Sequence, residues 1–147
     1  ELYGGVGTIG LNILDLVQNL SCSDENPFNK ECFERSRLSL HPSLAERARY
    51  TTASAADMAI AGELGGGPDV LIVDPPRKGL DDVVLDKLDT ELHPPRRIVY
   101  VSCGFKAFKR DYSRLLRRYR PVHAEGHVLF PGADHMETLC VFDLESN

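Results

Sequence analysis

The chain has 147 residues, 42% of them hydrophobic and 27% charged, with a formal net charge of −5. These proportions suit one compact domain spanning 1–147 and exclude a disordered segment, and no apolar run approaches the ~20 residues of a membrane-spanning helix. The acidic balance argues against a generic nucleic-acid binder. Four cysteines (Cys22, Cys32, Cys103, Cys140) without a C-x-x-C are too few for a disulfide scaffold and point to a reduced intracellular setting, cytoplasmic or organellar.

Helix and strand patterns alternate along the chain. Leu2-Tyr3 reads as the end of a first strand, so Glu1 already lies inside a strand-like motif. The chain therefore reads as the trailing part of a longer protein. Thr8 to about Leu20 carries Ile9, Ile13, Leu16, Val17 and Leu20 at helical spacing. A short strand, Leu20 to Ser23, is followed by Asp24-Glu25-Asn26-Pro27, and Pro27 opens a helix to about Leu40. Arg49 to Ala53 is a weak strand, and Met58 to Leu64 a short helix stopped by Gly65-Gly66-Gly67-Pro68.

Val70-Leu71-Ile72-Val73, bounded by Asp69 and Asp74-Pro75-Pro76, has the continuous apolar character of a strand buried on both faces. Val83 to Leu92 is helical and Ile98 to Val101 is the next buried strand. Phe105, Phe108, Tyr112, Leu115, Leu116 and Tyr119 mark one face of a long helix. Val122 to Leu129 and Thr138 to Leu144 form an antiparallel pair at the sheet edge. The sum is an α/β fold: a doubly wound, mostly parallel, Rossmann-like sheet with a C-terminal antiparallel hairpin.

Gly5-Val6-Gly7-Thr8-Ile9-Gly10 satisfies G-x-G-x-x-G between a strand and a helix. Gly5 and Gly7 let the backbone turn tightly and approach a ligand closely at a helix N-terminus. Asp24, at the end of the second strand, stands where a carboxylate accepts hydrogen bonds from ribose hydroxyls. A nucleoside-bearing cofactor is favoured over an ordinary tight turn, but the pattern does not separate NAD from S-adenosylmethionine. Asp57 is either near an adenine or a solvated loop acid.

Asp74-Pro75-Pro76-Arg77 follows the Val70–Val73 strand. Its prolines stiffen the turn and hold Asp74 at the strand end, facing the crevice. Nicotinamide dehydrogenases have no chemical need for such a motif. In a related motif of amine methyltransferases an aromatic residue occupies the slot of Arg77, so amine methylation is disfavoured.

Cys103 ends an apolar strand and meets Gly104 at once, while Glu137 precedes another apolar strand. Each alone is more often packing or surface, respectively. Together, behind a cofactor loop, they suit methylation of carbon 5 of uracil, in which a thiolate adds to carbon 6 and a base removes the carbon 5 proton. Lys106 is a candidate neighbour for the thiolate. Nine basic residues against one acidic between Arg96 and Arg120 read as a solvated helix face, made more interesting by following Cys103.

These motifs together resemble the S-adenosylmethionine-dependent RNA uracil-5-methyltransferases, which make 5-methyluridine in tRNA and rRNA. The likeness rests on Glu1 to Leu11, Asp24 to Pro27, Asp74 to Leu80, Val99 to Cys103, and Phe130-Pro131 through His135-Met136-Glu137. It implies a class I methyltransferase fold, with S-adenosyl-L-methionine held by Tyr3, Gly5, Gly7, Asp24 and Asp74. It further implies contacts from Asp74 and Arg77 to the target, Cys103 as nucleophile and Glu137 as base, with no metal. Gly4 replaces the family's usual cysteine, Gly104-Phe105 its Asn-Pro, and Ala133 its threonine. The family's upstream RNA-binding region and a phenylalanine-glutamine segment are not in this sequence. The chain is thus expected to be a monomeric catalytic domain with little RNA affinity or activity alone. The alternatives are a nicotinamide-binding module, a methyltransferase for nitrogen or a small molecule, and a non-catalytic RNA-binding scaffold.

Overall fold

In the computed structural model, residues 1–66, 68–132 and 136–145 are described. Strands β1 (Leu20–Asp24) and β2 (Ala48–Thr52) pair in parallel. Strand β3 (Val70–Val73) pairs in parallel with β4 (Arg97–Ser102), and the order continues through β6 (Glu137–Leu144) to β5 (Tyr119–His127), both antiparallel. The first few residues join the two groups. Leu2 bridges Val73 in parallel and donates to Ile72 O at 2.9 Å, while Ser23 donates to Glu1 O and Gly4 to Ser23 O, each at 2.9 Å. The expected first strand is therefore a short central splice, and the mostly parallel sheet with an antiparallel C-terminal hairpin forms around it.

Helices α1 (Thr8–Asn12), α2 (Pro27–Leu38) and α3 (Pro42–Ala45) alternate with β1 and β2. Helices α4 (Ala55–Ile60), α5 (Asp82–Thr90) and α6 (Phe105–Leu115) connect the remaining strands. One apolar cluster unites Leu2, Val73, Val84, Leu88, Ile98, Tyr100, Phe108 and Phe142. A second unites Leu14, Leu20, Cys22, Phe33, Ala48 and Tyr50. Pro27 opens α2 as expected, behind an Asn26 side chain that accepts from Phe28 N.

Five expectations require correction. The helix from Thr8 stops at Asn12 and gives way to a 3-10 turn, Leu14–Leu16. Leu14 is buried while Leu16 is 79% exposed, the reverse of the expected stripe. Arg47 caps the interruption by donating to Val17 O and Leu14 O at 2.8 and 3.1 Å, a contact from a distant segment that local periodicity does not carry. Val70 is 42% exposed, so β3 is buried only from Leu71 onward. The helix after Cys103 ends at Leu115, and Tyr119 begins β5. Phe105, expected on the buried face, is 48% exposed. The short helix begins at Ala55 rather than Met58, because the Ser54 side chain caps it by accepting from Asp57 N at 3.0 Å.

Candidate active site

The glycine loop is held from four directions. Gly5 N donates to Asp24 Oδ2 at 3.0 Å, and Tyr50 Oη donates to Gly5 O at 3.0 Å. Gly10 N donates to Glu1 Oε2 at 3.1 Å, and Gly7 N to Gly4 O at 2.7 Å. Gly5 and Gly7 both adopt positive φ, 54° and 81°. A side chain at Gly7 would collide with the Phe33 ring, whereas the space beside Gly5 is open. The loop is therefore packed on one side and accessible on the other, as a nucleoside cradle requires. Cys22 Sγ occupies the space a side chain at Gly4 would take, which accounts for glycine there.

Asp24 is fixed by its own surroundings. Besides Gly5 N, it accepts from Asn26 N at 2.9 Å and Asn29 Nδ2 at 3.0 Å. It lines a crevice of about 330 Å³ shared with Tyr3, Asn26, Asn29, Ser54 and Asp74. Tyr3 takes a left-handed backbone conformation, φ 55°, uncommon for a bulky residue. Its hydroxyl donates to Asp81 Oδ2 at 3.1 Å and accepts from Asp81 N at 3.2 Å. Burial raises the Tyr3 hydroxyl pKa, so it remains a neutral donor, while the Lys78 hydrogen bond holds the Asp81 carboxyl below its ordinary value. Asp57 does not line this crevice. It lies in the first turn of α4 and accepts from Ser54 Oγ at 2.7 Å.

Asp74 sits at the end of β3, and desolvation followed by the nearby Glu137 carboxylate raises its pKa. The two carboxylates repel because the Asp-Pro-Pro-Arg motif and the start of β6 lie near one another. The ladder likewise sets Cys103 near Glu137. Ser102 pairs with Thr138, so Cys103 and Glu137 are the residues one step beyond, at the same end of neighbouring antiparallel strands. Residues opposed in such a ladder stand about 4.5–5.5 Å apart at Cα. Arg77 is exposed, and its backbone abuts the loop after Cys103: a Cβ on Gly104 would lie 2.6 Å from Arg77 O. Gly104 thus lets the Asp74–Arg77 turn and the Cys103 turn touch.

The other thiols have different surroundings. Cys22 and Cys140 are fully buried, and burial pushes the Cys140 thiol pKa up to about 11. Cys32 is exposed on α2, and Cys103 is half-buried at the strand end. Of the expected site residues, Tyr3, Asp24 and Asp74 line the crevice, Gly5 is bonded to Asp24, Glu137 is near Asp74, and Arg77 abuts the turn after Cys103, while Gly7 packs on Phe33 away from the crevice lining. Sequence reasoning missed Glu1, Tyr50 and Asn29 as loop braces. Asn29 could have been found one helical turn after Asn26, facing back toward Asp24. His135 and Ala133, also in the base motif, lie outside the described residues.

Two expected outcomes follow from this geometry. Because Asp74 has a raised carboxyl pKa, ionising it costs stability as pH rises above the unfolded value, and that cost is complete above the folded value. Because Asp74 is exposed to solvent, which screens this cost, Asp74→Asn is expected to raise the melting temperature of the unliganded chain at pH 7 only slightly while weakening its affinity for S-adenosylhomocysteine. Thermal melts between pH 4 and 8 with calorimetric titration check both signs. Gly104→Ala would press on Arg77 O and, on the methyltransferase resemblance above, is expected to slow methyl transfer by the full-length protein at least about tenfold, since misplacement of about 1 Å can cost more than that. S-adenosylhomocysteine titration should show cofactor affinity retained.

No family model matches the chain. The chain is 35% identical over 144 residues to an uncharacterized RNA methyltransferase of Protochlamydia amoebophila, covering 97% of this chain and 36% of that protein. The crystal structure of Pyrococcus abyssi tRNA (uracil-54, C5)-methyltransferase with S-adenosyl-L-homocysteine superposes with a TM-score of 0.79. It is 31% identical and covers 96% of this chain and 33% of that one. A predicted O-methyltransferase from Agrobacterium tumefaciens gives a TM-score of 0.72 at 16% identity, covering 99% of this chain and 73% of that one. That last likeness concerns the fold alone. The chain spans about a third of the length of the RNA methyltransferases it matches, and its fold is that of the class I methyltransferases.

Proposed function

We propose that the chain is the catalytic domain of an RNA methyltransferase and that it methylates carbon 5 of a uridine in tRNA or rRNA, a reading supported by its similarity to RNA methyltransferases. The observation that carries this reading is the register that sets Cys103 beside Glu137, with Asp74 at the next strand end.

S-adenosyl-L-methionine is the cofactor and supplies the methyl group as an electrophile on a sulfonium. The residues present fit it. Asp24, oriented by Gly5, Asn26 and Asn29, offers its carboxylate to ribose hydroxyls, and the open side of Gly5 admits a nucleoside. The acidic lining, with Asp74 already crowded by Glu137, favours a cationic ligand.

Uracil carbon 5 is a weak nucleophile. Addition of the Cys103 thiolate to carbon 6 moves the ring double-bond electrons toward the carbon 4 carbonyl as an enolate, and carbon 5 then takes the methyl group. Glu137 removes the carbon 5 proton, and the released pair reforms the carbon 5–carbon 6 double bond and expels the thiolate. One thiol and one base are needed on adjacent ring atoms, which neighbouring strand ends can provide. Arg77, exposed beside Gly104, is assigned to the bound RNA. The four free thiols suit an intracellular protein, and no described helix is long and apolar enough to cross a membrane.

The test is nucleoside analysis. RNA treated with labelled S-adenosylmethionine and the full-length protein carrying this region should yield 5-methyluridine on digestion. Label in an N-methylated base, or binding of NAD instead of S-adenosylhomocysteine, would overturn the reading. Because recognition of the RNA is assigned mainly to the remaining two-thirds of such proteins, the chain alone should turn over far more slowly.

A further inference from the structure

The basic run from Arg96 to Arg120 separates into two populations once its partners are seen. Arg97 is paired with Asp143, Arg110 with Asp111, Arg114 with Asp86 and Asp89, and Arg117 with Asp89. Arg118 donates to the carbonyls of Leu88, Asp89 and Glu91, closing the end of α5. These cations bind the protein to itself. Lys106 and Lys109 are exposed on α6 and have no side-chain partner among the described residues. They lie in the helix that begins immediately after the Cys103 turn.

Phe105 begins the same helix, two residues after Cys103. It is 48% exposed, and its ring stacks on Phe108 with centroids 6.3 Å apart and planes 29° from parallel. Phe108 is itself buried edge-on against Tyr100 at 5.2 Å. One face of the Phe105 ring is thus braced from below by the core. An exposed aromatic costs hydration free energy, and a braced one loses little further entropy when something stacks on it.

Resting on the methyltransferase reading above, we propose that Phe105, Lys106 and Lys109 form the chain's own contact with single-stranded RNA flanking the target nucleotide. Phe105 stacks on a neighbouring base, and the two lysines meet the adjoining phosphates. Aromatic rings interleaved with unpaired cations are the physical requirements for such a strand, because every base has a π-face and every linkage a charge. Charge complementarity also sets the direction. The crevice is lined by Asp24, Asp74 and Asp81 and repels phosphates, so the backbone of a strand entering it is driven to the rim. A larger hollow of about 400 Å³ at the other end of the sheet holds Arg96 and Arg120, which have no side-chain partner among the described residues. It mixes them with Asp69, Asp143 and Glu145, is far from Cys103 along β4, and lacks an aromatic.

The experiment is fluorescence anisotropy of a labelled eight-nucleotide oligouridine with the intact chain, repeated from low to moderate salt. Lys106→Gln with Lys109→Gln should lower the slope of log affinity against log salt by about 1.4, from two lost single-strand phosphate contacts at ~0.7 each. Phe105→Ala should weaken binding at least about fivefold without changing the slope, and Phe105→Trp should restore it. Arg96→Gln with Arg120→Gln should leave both readings as in the parent. Absence of oligouridine binding by the parent, unchanged binding in the Phe105 and lysine variants, or an equal slope loss in the Arg96/Arg120 control would overturn the proposal. These outcomes do not touch S-adenosylhomocysteine titration or 5-methyluridine formation, whose failure would instead strike the reading beneath it.

Discussion

Glu137→Gln should accept the methyl group onto the target ring and then fail to release it. Glutamine keeps the shape and the strand-end position but cannot take the carbon 5 proton, so the methylated ring remains bonded to Cys103. Turnover is expected to fall by about 10²–10⁴, the usual contribution of a positioned base. A protein–RNA species carrying the labelled methyl group should accumulate on denaturing gels. This outcome depends on the β4–β6 register, since a slip of one residue would turn the Glu137 side chain to the opposite face. Turnover near that of the parent would remove Glu137 from the base role. Loss of methyl transfer without any adduct would place its role before the methyl group moves.

The second large effect is expected far from the reacting atoms, at Asp111. This carboxylate is completely buried on α6. Its Oδ2 accepts from Leu80 N at 2.7 Å and Tyr100 Oη at 2.6 Å, and its Oδ1 accepts from Arg110 Nε at 2.8 Å. A buried charge is tolerable only with such partners. Asp111→Ala strands the Leu80 N–H and the Tyr100 hydroxyl, at about 1–3 kcal/mol each, while the half-exposed Arg110 turns to water. A total loss of about 2–6 kcal/mol is a large part of a domain's stability, and urea denaturation should show it. The damage also has a route to the cofactor. Leu80 precedes Asp81, and Asp81 holds the strained Tyr3 through two hydrogen bonds. S-adenosylhomocysteine affinity should therefore fall in Asp111→Asn as well, even where the domain stays folded. Unchanged affinity in that folded variant would show that the Leu80–Asp81 turn does not need Asp111 to hold Tyr3.

What was legible in the sequence was local. The glycine loop, Pro27 at the start of a helix, the Val70–Val73 strand and the abrupt change from Ser102-Cys103 to Gly104 each follow from backbone rules acting within a few residues. The elements carrying Cys103 and Glu137 could be read because alternation stops where the strands stop. The misreadings came from long-range contacts. The Thr8 helix looked longer because Leu16 and Leu20 keep helical spacing, yet Arg47 stabilises an earlier break from more than 25 residues away. Phe105 looked like part of an apolar stripe, and its exposure depends on what lies above the helix start. The basic run reads as one feature in sequence, although salt bridges to α5 and β6 divide it into structural cations and cations without a side-chain partner among the described residues. The juxtaposition of Gly104 with Arg77 had no sequence signal, because it joins two turns separated by a helix and a strand.

On the proposed mechanism, Cys103 is the thiol that bonds to carbon 6 of the target uridine. The most direct test is peptide mapping by mass spectrometry after incubating the full-length protein with S-adenosylmethionine and RNA containing 5-fluorouridine. Fluorine cannot leave as a proton, so the adduct persists. It should map to the peptide bearing Cys103 and disappear in Cys103→Ala. An adduct on Cys32 or another residue, or one that survives Cys103→Ala, would contradict the account.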